Sequence, residues 1–345
     1  YVTIPLQKLT YILYKSKPDS YYDTFEIPKK NGESRQIHAP SGDLKQLQKK
    51  LAQRLWDVYR EFIEENEIQD NISHAFQKGK SIITNANIHR NKRYVLNLDL
   101  KDFFDHFHFG RVRGFFMKNK NFELPVEIAT MIAQLTCYEG KLPQGAPTSP
   151  IITNLVCNIL DMRLLKIAKK YRVVYTRYAD DMTFSTNDKK FLENQENFMK
   201  SIKKEIESFG FEINDKKTRL LFCDSRQEVT GLVVNKKISV NREYCKRTRA
   251  MADAFYRRGI FEICGEEGSV NQLEGRFSFI NQIDCYNNKN DREQKHTFWT
   301  LNARERQYQK FLFFKYFYAN TKPLIVTEGK TDIVYLRAAL KKYYK

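Results

Sequence analysis

The stretch RVVYTRYADDMTFST, residues 172–186, decides how the rest of this chain is read. Apolar and polar residues alternate up to Tyr178 and again from Met182, so the stretch reads as two strands meeting at Ala179-Asp180-Asp181. Two adjacent carboxylates at the tip of an apolar hairpin repel one another unless a cation compensates them. A similar strand, RYVLNLDL at 93–100, sets Asp99 among apolar neighbours, where an ionised carboxylate is unfavourable unless paired. Two strands presenting carboxylates can hold two Mg²⁺ ions, with Mn²⁺ as the alternative. Such a pair activates a hydroxyl and stabilises a leaving pyrophosphate, and in-line phosphoryl transfer asks for little else. Asp99, Asp180 and Asp181 are therefore the candidate catalytic and metal-binding residues.

Working outward, YDTFEIPKKNGESRQIHAP (22–40) has Asn31-Gly32 between two alternating runs and predicts a β-hairpin carrying Lys29, Lys30 and Arg35. Apolar residues spaced by three and four predict helices over 42–70, 125–138, 150–171 and 189–211, with Gly210 as a stop for the last. Beyond Asn235 the pattern becomes mostly helical and strongly basic. The aromatics of FLFFKYFY (311–318) are expected mainly in a core. From Lys322 the character changes again, to an apolar strand, a turn at Glu328-Gly329 and a helix, like the opening unit of an α/β domain.

The chain has 345 residues, more than one hydrophobic core usually organises. Its 59 Lys and Arg against 41 Asp and Glu give a net charge of +18, which points to a polyanionic partner, nucleic acid first. No apolar run has the roughly 18–20 residues of a membrane-spanning helix, so no membrane association is expected. The six cysteines form no C-x-x-C pair, which suits free thiols in a reducing cytoplasm. The chain opens on Tyr1 rather than Met, and residues before it are expected.

Three motifs in order resemble reverse transcriptases: LDLKDFF (98–104), LPQGAPTSP (142–150) and YADD (178–181). The resemblance implies an α+β right-hand polymerase with an antiparallel palm sheet: N-terminal region and fingers at 1–92, palm with interleaved fingers elements at 93–235, and helical thumb at 236–320. It further implies metal ligation by Asp99, Asp180, Asp181 and the carbonyl of Leu100. Phe104 matches a steric gate that favours dNTPs, Gln144 and Gly145 lie along the incoming nucleotide, and Arg35 and Lys30 match triphosphate contacts. Lys216 resembles the basic residue of the motif after the aspartates, and spacing allows Lys217 equally.

Two further segments resemble the retron branch: NANIH at 85–89, with Asn85 and His89, and Val229-Thr230-Gly231. The resemblance implies a structured noncoding RNA as primer and template, a branched RNA-linked single-stranded DNA product, and an RNA-related place for these five residues. LIVTEGKTD (324–332) resembles the first motif of Toprim domains, with Glu328 as a candidate metal ligand or general acid/base. The chain stops before the DxD element of such a domain. That fusion implies an anti-phage defence system, with self-association or effector subunits. The alternatives are another bacterial lineage, of intron-maturase or abortive-infection type, and an RNA-binding scaffold for a Toprim nuclease.

Overall fold

The computed structural model describes residues 5–16, 18–28, 32, 34–65, 71–291, 297 and 299–344. They form two compact units, Tyr1–Ile238 and Ser239–Lys345. The first opens with a short helix α1 (Leu6–Thr10) and the antiparallel hairpin β1 (Tyr22–Pro28) and β2 (Ser34–Pro40), followed by α2 (Gly42–Glu65). The expected hairpin and long helix are thus present. Lys29, Lys30, Asn31 and the last five residues of the expected helix lie outside the described residues.

The centre of this unit is a four-stranded antiparallel sheet in the order β4-β5-β3-β6, made of β3 (Tyr94–Asp99), β4 (Val174–Tyr178), β5 (Asp181–Thr186) and β6 (Arg219–Phe222). Around it run α3 (Ile82–Ile88), α4 (Phe109–Lys118), α5 (Val126–Thr136), α6 (Ser149–Lys170) and α7 (Phe191–Ser208). Period-two alternation gives the sheet two different faces. Leu96, Leu98, Tyr175, Met182 and Phe184 share one face and join the core with residues of α6 and α7, including Leu160, Leu164, Phe198 and Ile202. The other face carries Asn97, Thr176, Thr183 and Ser185, and it too is largely covered. Thr183 donates to Asn97 at 3.1 Å, and Asn97 donates to the Glu228 carbonyl at 2.7 Å. That carbonyl belongs to the small hairpin β7 (Glu228–Val229) and β8 (Leu232–Val233).

The second unit holds α8 (Arg242–Arg258), the short hairpin β9 (Glu262–Ile263) and β10 (Glu266–Glu267), α9 (Val270–Asn290), α10 (Ala303–Phe313) and α11 (Lys330–Tyr343). Its core gathers Phe255, Phe261, Leu273, Phe277 and Phe311. Of the 311–318 aromatics, Phe311 is fully buried, but Phe313, Tyr316, Phe317 and Tyr318 are exposed, so the run is less of a core element than its composition predicts. The strand expected at 323–327 does not form. Leu324, Ile325 and Val326 are exposed and pair with no strand among the described residues, and a β-conformation has no hydrogen bonds to gain without a partner. The helix expected after it is present as α11.

Candidate active site

Strand register puts Asp99 and Asp181 at one end of the polar face, with Asp180 in the adjoining turn. Asp99 on β3 lies opposite Asp181 on β5, and Asp181 also lies opposite Tyr178 on β4. Directly opposed residues of antiparallel strands share a face, so Asp99 and Asp181 do as well. Between Tyr178 and Asp181 the turn is only Ala179-Asp180, and Ala179 adopts φ +57. A non-glycine residue in the left-handed region costs on the order of 1–2 kcal/mol, so the neighbourhood must hold it there.

The hold comes from Arg177, which is fully buried. Its Nη1 donates to the Ala179 carbonyl at 3.2 Å, while Nε and Nη2 grip the buried Asp161 of α6 at 2.9 and 2.8 Å. The Tyr175 hydroxyl donates to the same carboxylate at 2.8 Å. Sequence reading missed Arg177 and Asp161. The signal was available: alternation places Arg177 on the core face beside Tyr175, and a charge there has to be paired.

Beside the hairpin tip opens a cavity of about 790 Å³ lined by Asp99, Leu100, Phe104, Gln144, Asp180 and Arg35, among others. Phe103 takes the core position, stacked on Phe211 at 5.6 Å, and leaves Phe104 half-buried at the cavity wall. Gln144 and Gly145 are tied to β2, since the Gln144 carbonyl accepts from the His38 N–H at 2.8 Å. Gly145 has φ +117, and a Cβ there would meet Ile37 Cγ2 at 2.8 Å and the His38 carbonyl oxygen at 3.0 Å, so only glycine fits this crossing. Both lysines line the cavity, and Lys217 makes the contact, with its Nζ 3.1 and 3.0 Å from the two carboxylate oxygens of Asp99. Asn214, which sequence reading did not single out, donates from Nδ2 to Asp99 at 3.2 Å.

The site is short of positive charge. Burial raises the Asp180 carboxyl, Asp99 adds repulsion, and Lys217 and Arg35 oppose both. Asp181 keeps some exposed surface at the rim, yet the protein packed around it pushes its carboxyl up to about 7, with Asp180 and Asp99 contributing repulsion and Lys217 opposing it. Among the described residues, no three His, Cys, Asp or Glu side chains form a ready-made metal cluster. The donor set still suits a hard divalent cation: it consists of carboxylate oxygens, and two of the carboxylates are raised for want of compensating charge.

Residues 27–248 match the family model described as reverse transcriptase (RNA-dependent DNA polymerase). The chain belongs to that family. Its relatives include the retron Ec86 reverse transcriptase of Escherichia coli, 33% identical over 284 residues that cover 81% of this chain and 82% of that protein. The retron Mx65 enzyme of Myxococcus xanthus is 36% identical over 246 residues, 67% of this chain and 55% of that one. The retron Mx162 enzyme of the same organism is 32% identical over 311 residues, 81% and 62%. The chain thus spans less than two thirds of the two Myxococcus proteins. Among solved structures, telomerase from Candida albicans aligns over 88% of this chain and 61% of its own at 12% identity and a TM-score of 0.49, too distant a likeness to bear on the argument. This reverse transcriptase is accordingly of the retron kind, an RNA-directed DNA polymerase by family, and reverse transcriptases use divalent metal ions.

In this reverse transcriptase the two retron segments pack together. The Thr230 hydroxyl donates to the Ile82 carbonyl of α3 at 3.3 Å, and the Asn91 N–H donates to the Val234 carbonyl at 2.9 Å. Asn85 and His89 are completely buried and Val229 is 1% exposed, so the RNA-related place expected of them is not a surface one in this structure. The helix cap is Ser81, with Thr84 completing the box. Thr176 donates its hydroxyl hydrogen to Asn85 Oδ1 at 2.6 Å, so it must accept from His89 Nε2–H at 2.7 Å, and His89 Nδ1 then accepts from Ser185 at 2.7 Å. Burial, with the nearby His74 and Lys92, lowers the His89 pKa to about 3 and keeps it neutral. Only Thr230 and Gly231 of the five retain surface, at a two-residue turn with φ +47 and +79. Glu328 lies in the second unit, ahead of α11.

Proposed function

We propose that this chain copies a structured noncoding RNA that serves it as both primer and template, and that the product is single-stranded DNA branched from that RNA. The observation that carries the catalytic part is the convergence of Asp99, Asp180, Phe104, Gln144 and Arg35 on one cavity beside the Ala179-Asp180 turn. In this reading Asp99, Asp180, Asp181 and the Leu100 carbonyl hold two Mg²⁺ ions, which supply Lewis-acid activation of the primer hydroxyl and neutralise the triphosphate. The protein's own groups do the rest. In the first step the 2′-oxygen of an internal guanosine of the RNA, and in each later step the 3′-oxygen of the growing DNA, attacks the α-phosphorus: the hydroxyl gives up its proton, a P–O bond forms, and the bond to the leaving pyrophosphate breaks. Arg35 grips phosphate oxygens with its planar fork, assisted by Lys30. Phe104 closes the space where a ribose 2′-hydroxyl would sit, and Gln144 with Gly145 positions the nucleotide. Lys217 orients Asp99 and reduces the charge repulsion among the carboxylates.

Residues 1–92 then act as N-terminal region and fingers, 93–235 as palm and 236–320 as thumb. The thumb's basic helices suit backbone phosphates, since α8 alone carries six Lys and Arg. Residues 321–345 are read as the start of a Toprim-like domain with Glu328 in its turn, and the whole as part of a cytoplasmic anti-phage system. Copurification of the protein from its host, followed by extraction of the bound nucleic acid and treatment with RNase, DNase and a debranching enzyme, tests the proposal. A small DNA joined to RNA through a debranchable linkage is expected. Unbranched DNA would move the chain to another lineage, and absence of DNA synthesis from dNTPs would favour the scaffold alternative.

A further inference from the structure

Away from the aspartates, one bulky residue holds a backbone conformation that bulky residues avoid. Phe76 has φ +64 and leaves 47% of its surface exposed. Left-handed backbone is unfavourable for phenylalanine, and an exposed ring recovers little by burial, so folding alone explains neither feature. Strain of this kind persists where the surroundings over-determine it, and here they do. Ala75, directly before it, is fully buried with its carbonyl accepting from Asn154 Nδ2 at 3.0 Å. The His74 N–H donates to the Arg177 carbonyl at 2.9 Å, and Lys80 Nζ donates to the Ser73 carbonyl at 2.8 Å. The ring is therefore presented on a segment fastened to β4.

It borders a separate cavity of about 240 Å³ whose walls include Trp56, Arg60 and Glu64 of α2 together with Gln77 and Lys78. Among the described residues Gln77 Nε2 is buried and has no hydrogen-bond partner, so they leave the desolvation of this donor unrepaid. Arg60 is already engaged by Asp57 at 2.6 Å, which leaves Lys78, among the described lining residues, as the cation for an incoming anionic group. An apolar side chain would answer the ring but leave Gln77 and Glu64 unmatched. A planar aromatic with donors and acceptors on its edge and a phosphate attached answers all of them.

We infer that this cavity is a stacking site for an unpaired nucleobase of RNA, with Phe76 as the platform, Gln77 and Glu64 facing the base edge and Lys78 on the adjoining phosphate. The inference rests on the reading of RNA as this enzyme's partner, and it concerns a site that shares no lining residue with the aspartate cavity.

The test is equilibrium binding of the full chain, without dNTPs, to a single-stranded RNA carrying 2-aminopurine and to a blunt RNA duplex. Phe76→Gly relieves the positive φ, so it should melt at a higher temperature while binding the single strand on the order of ten-fold more weakly and losing 2-aminopurine quenching. Phe76→Trp should retain both, and duplex affinity should change in neither. Single-strand affinity and quenching unchanged in Phe76→Gly would overturn the site. So would equal weakening for duplex and single strand, or a change of oligomeric state as the only effect, which would mark a protein occupant. Because no synthesis is needed, wild-type protein that made no DNA would count against the polymerase reading and leave this measurement standing.

Discussion

Asp161 and Asp181 serve the same β4–β5 hairpin under opposite conditions. Asp161 is 2% exposed and accepts from two nitrogens of Arg177 and from the Tyr175 hydroxyl, so its charge is matched inside the protein. Burial alone would push the Arg177 guanidinium down, but Asp161 more than offsets it and keeps it charged. Asp181 is more accessible and yet worse off, with its carboxyl pushed up to about 7 by the packing around it and by Asp180 and Asp99. A fully satisfied carboxylate can only hold things in place. An under-compensated one keeps its capacity for something that is not part of the chain. The hairpin is thus anchored at one pair and left electrostatically open at the other, and the two can be perturbed separately.

The largest effect is expected at the open end. Asp180→Ala removes a proposed metal oxygen and leaves the basic surface untouched, so dNTP incorporation should fall roughly 10³-fold or more while RNA binding persists. Incorporation within a few-fold of wild type would break the contrast, because the raised carboxylates would then have no chemical use.

At the anchored end, stability and catalysis should come apart. Arg177→Met alone strands a buried Asp161 and should cost about 3–5 kcal/mol, read from chemical denaturation. Adding Asp161→Leu should restore much of that stability, because an apolar pair of similar size avoids the desolvation penalty. The Ala179 carbonyl has then still lost its donor. The refolded double variant should therefore remain slower by roughly 10- to 100-fold and need more Mg²⁺ for half-maximal rate. A double variant with wild-type rate and Mg²⁺ dependence would show that the pair holds the fold and nothing more.

The retron node supplies a third case, a titratable group buried without charge. With the His89 pKa lowered from 6.5 to about 3, the unfolded chain binds a proton that the folded chain refuses. Its contribution is fully present above about pH 6.5 and is lost as pH falls toward 3, at up to about 1.4 kcal/mol per pH unit. His89→Gln should lower stability at pH 8 but flatten the loss between pH 6.5 and 4. An unchanged acid limb would mean that other groups dominate it.

How much of this was legible in the sequence follows from which interactions are local. The hairpin tip, the strand carrying Asp99 and the alternation of the sheet faces are properties of neighbours in the chain, and all three could be read directly. Asp161 sits in LDMRLL, an ordinary helical pattern, and its partner is 16 residues further on in β4. Only the charge of Arg177 at a core position hinted at it. NANIH carries no sign of its burial, because nothing local says that the second face of the sheet, bearing Thr176 and Ser185, will be roofed by α3. The choice between Lys216 and Lys217 depends on a turn whose geometry, with the Lys217 N–H on the Asn214 carbonyl at 3.0 Å, spacing does not specify.

The smallest predicted effect tests the electrostatic half of the comparison without any catalysis. A carboxyl raised from its ordinary 3.8 to about 7 binds protons in the folded state that the unfolded chain has already released. Folding therefore loses stability from Asp181 as pH rises from about 4 through about 7, the reverse of the paired-carboxylate case. Asp181→Asn removes the charge and keeps the shape, so in Mg²⁺-free buffer it should raise the melting temperature modestly at pH 8 and leave it nearly unchanged at pH 4. Its exposure at the rim keeps the gain small, because solvent screens part of the repulsion. Saturating Mg²⁺ should reverse the order at pH 8, since the wild-type carboxylate then gains a partner that the amide holds less well. A variant that is no more stable than wild type without Mg²⁺ would show that Lys217 and Arg35 already balance the site, and the distinction between Asp161 and Asp181 would reduce to one of burial.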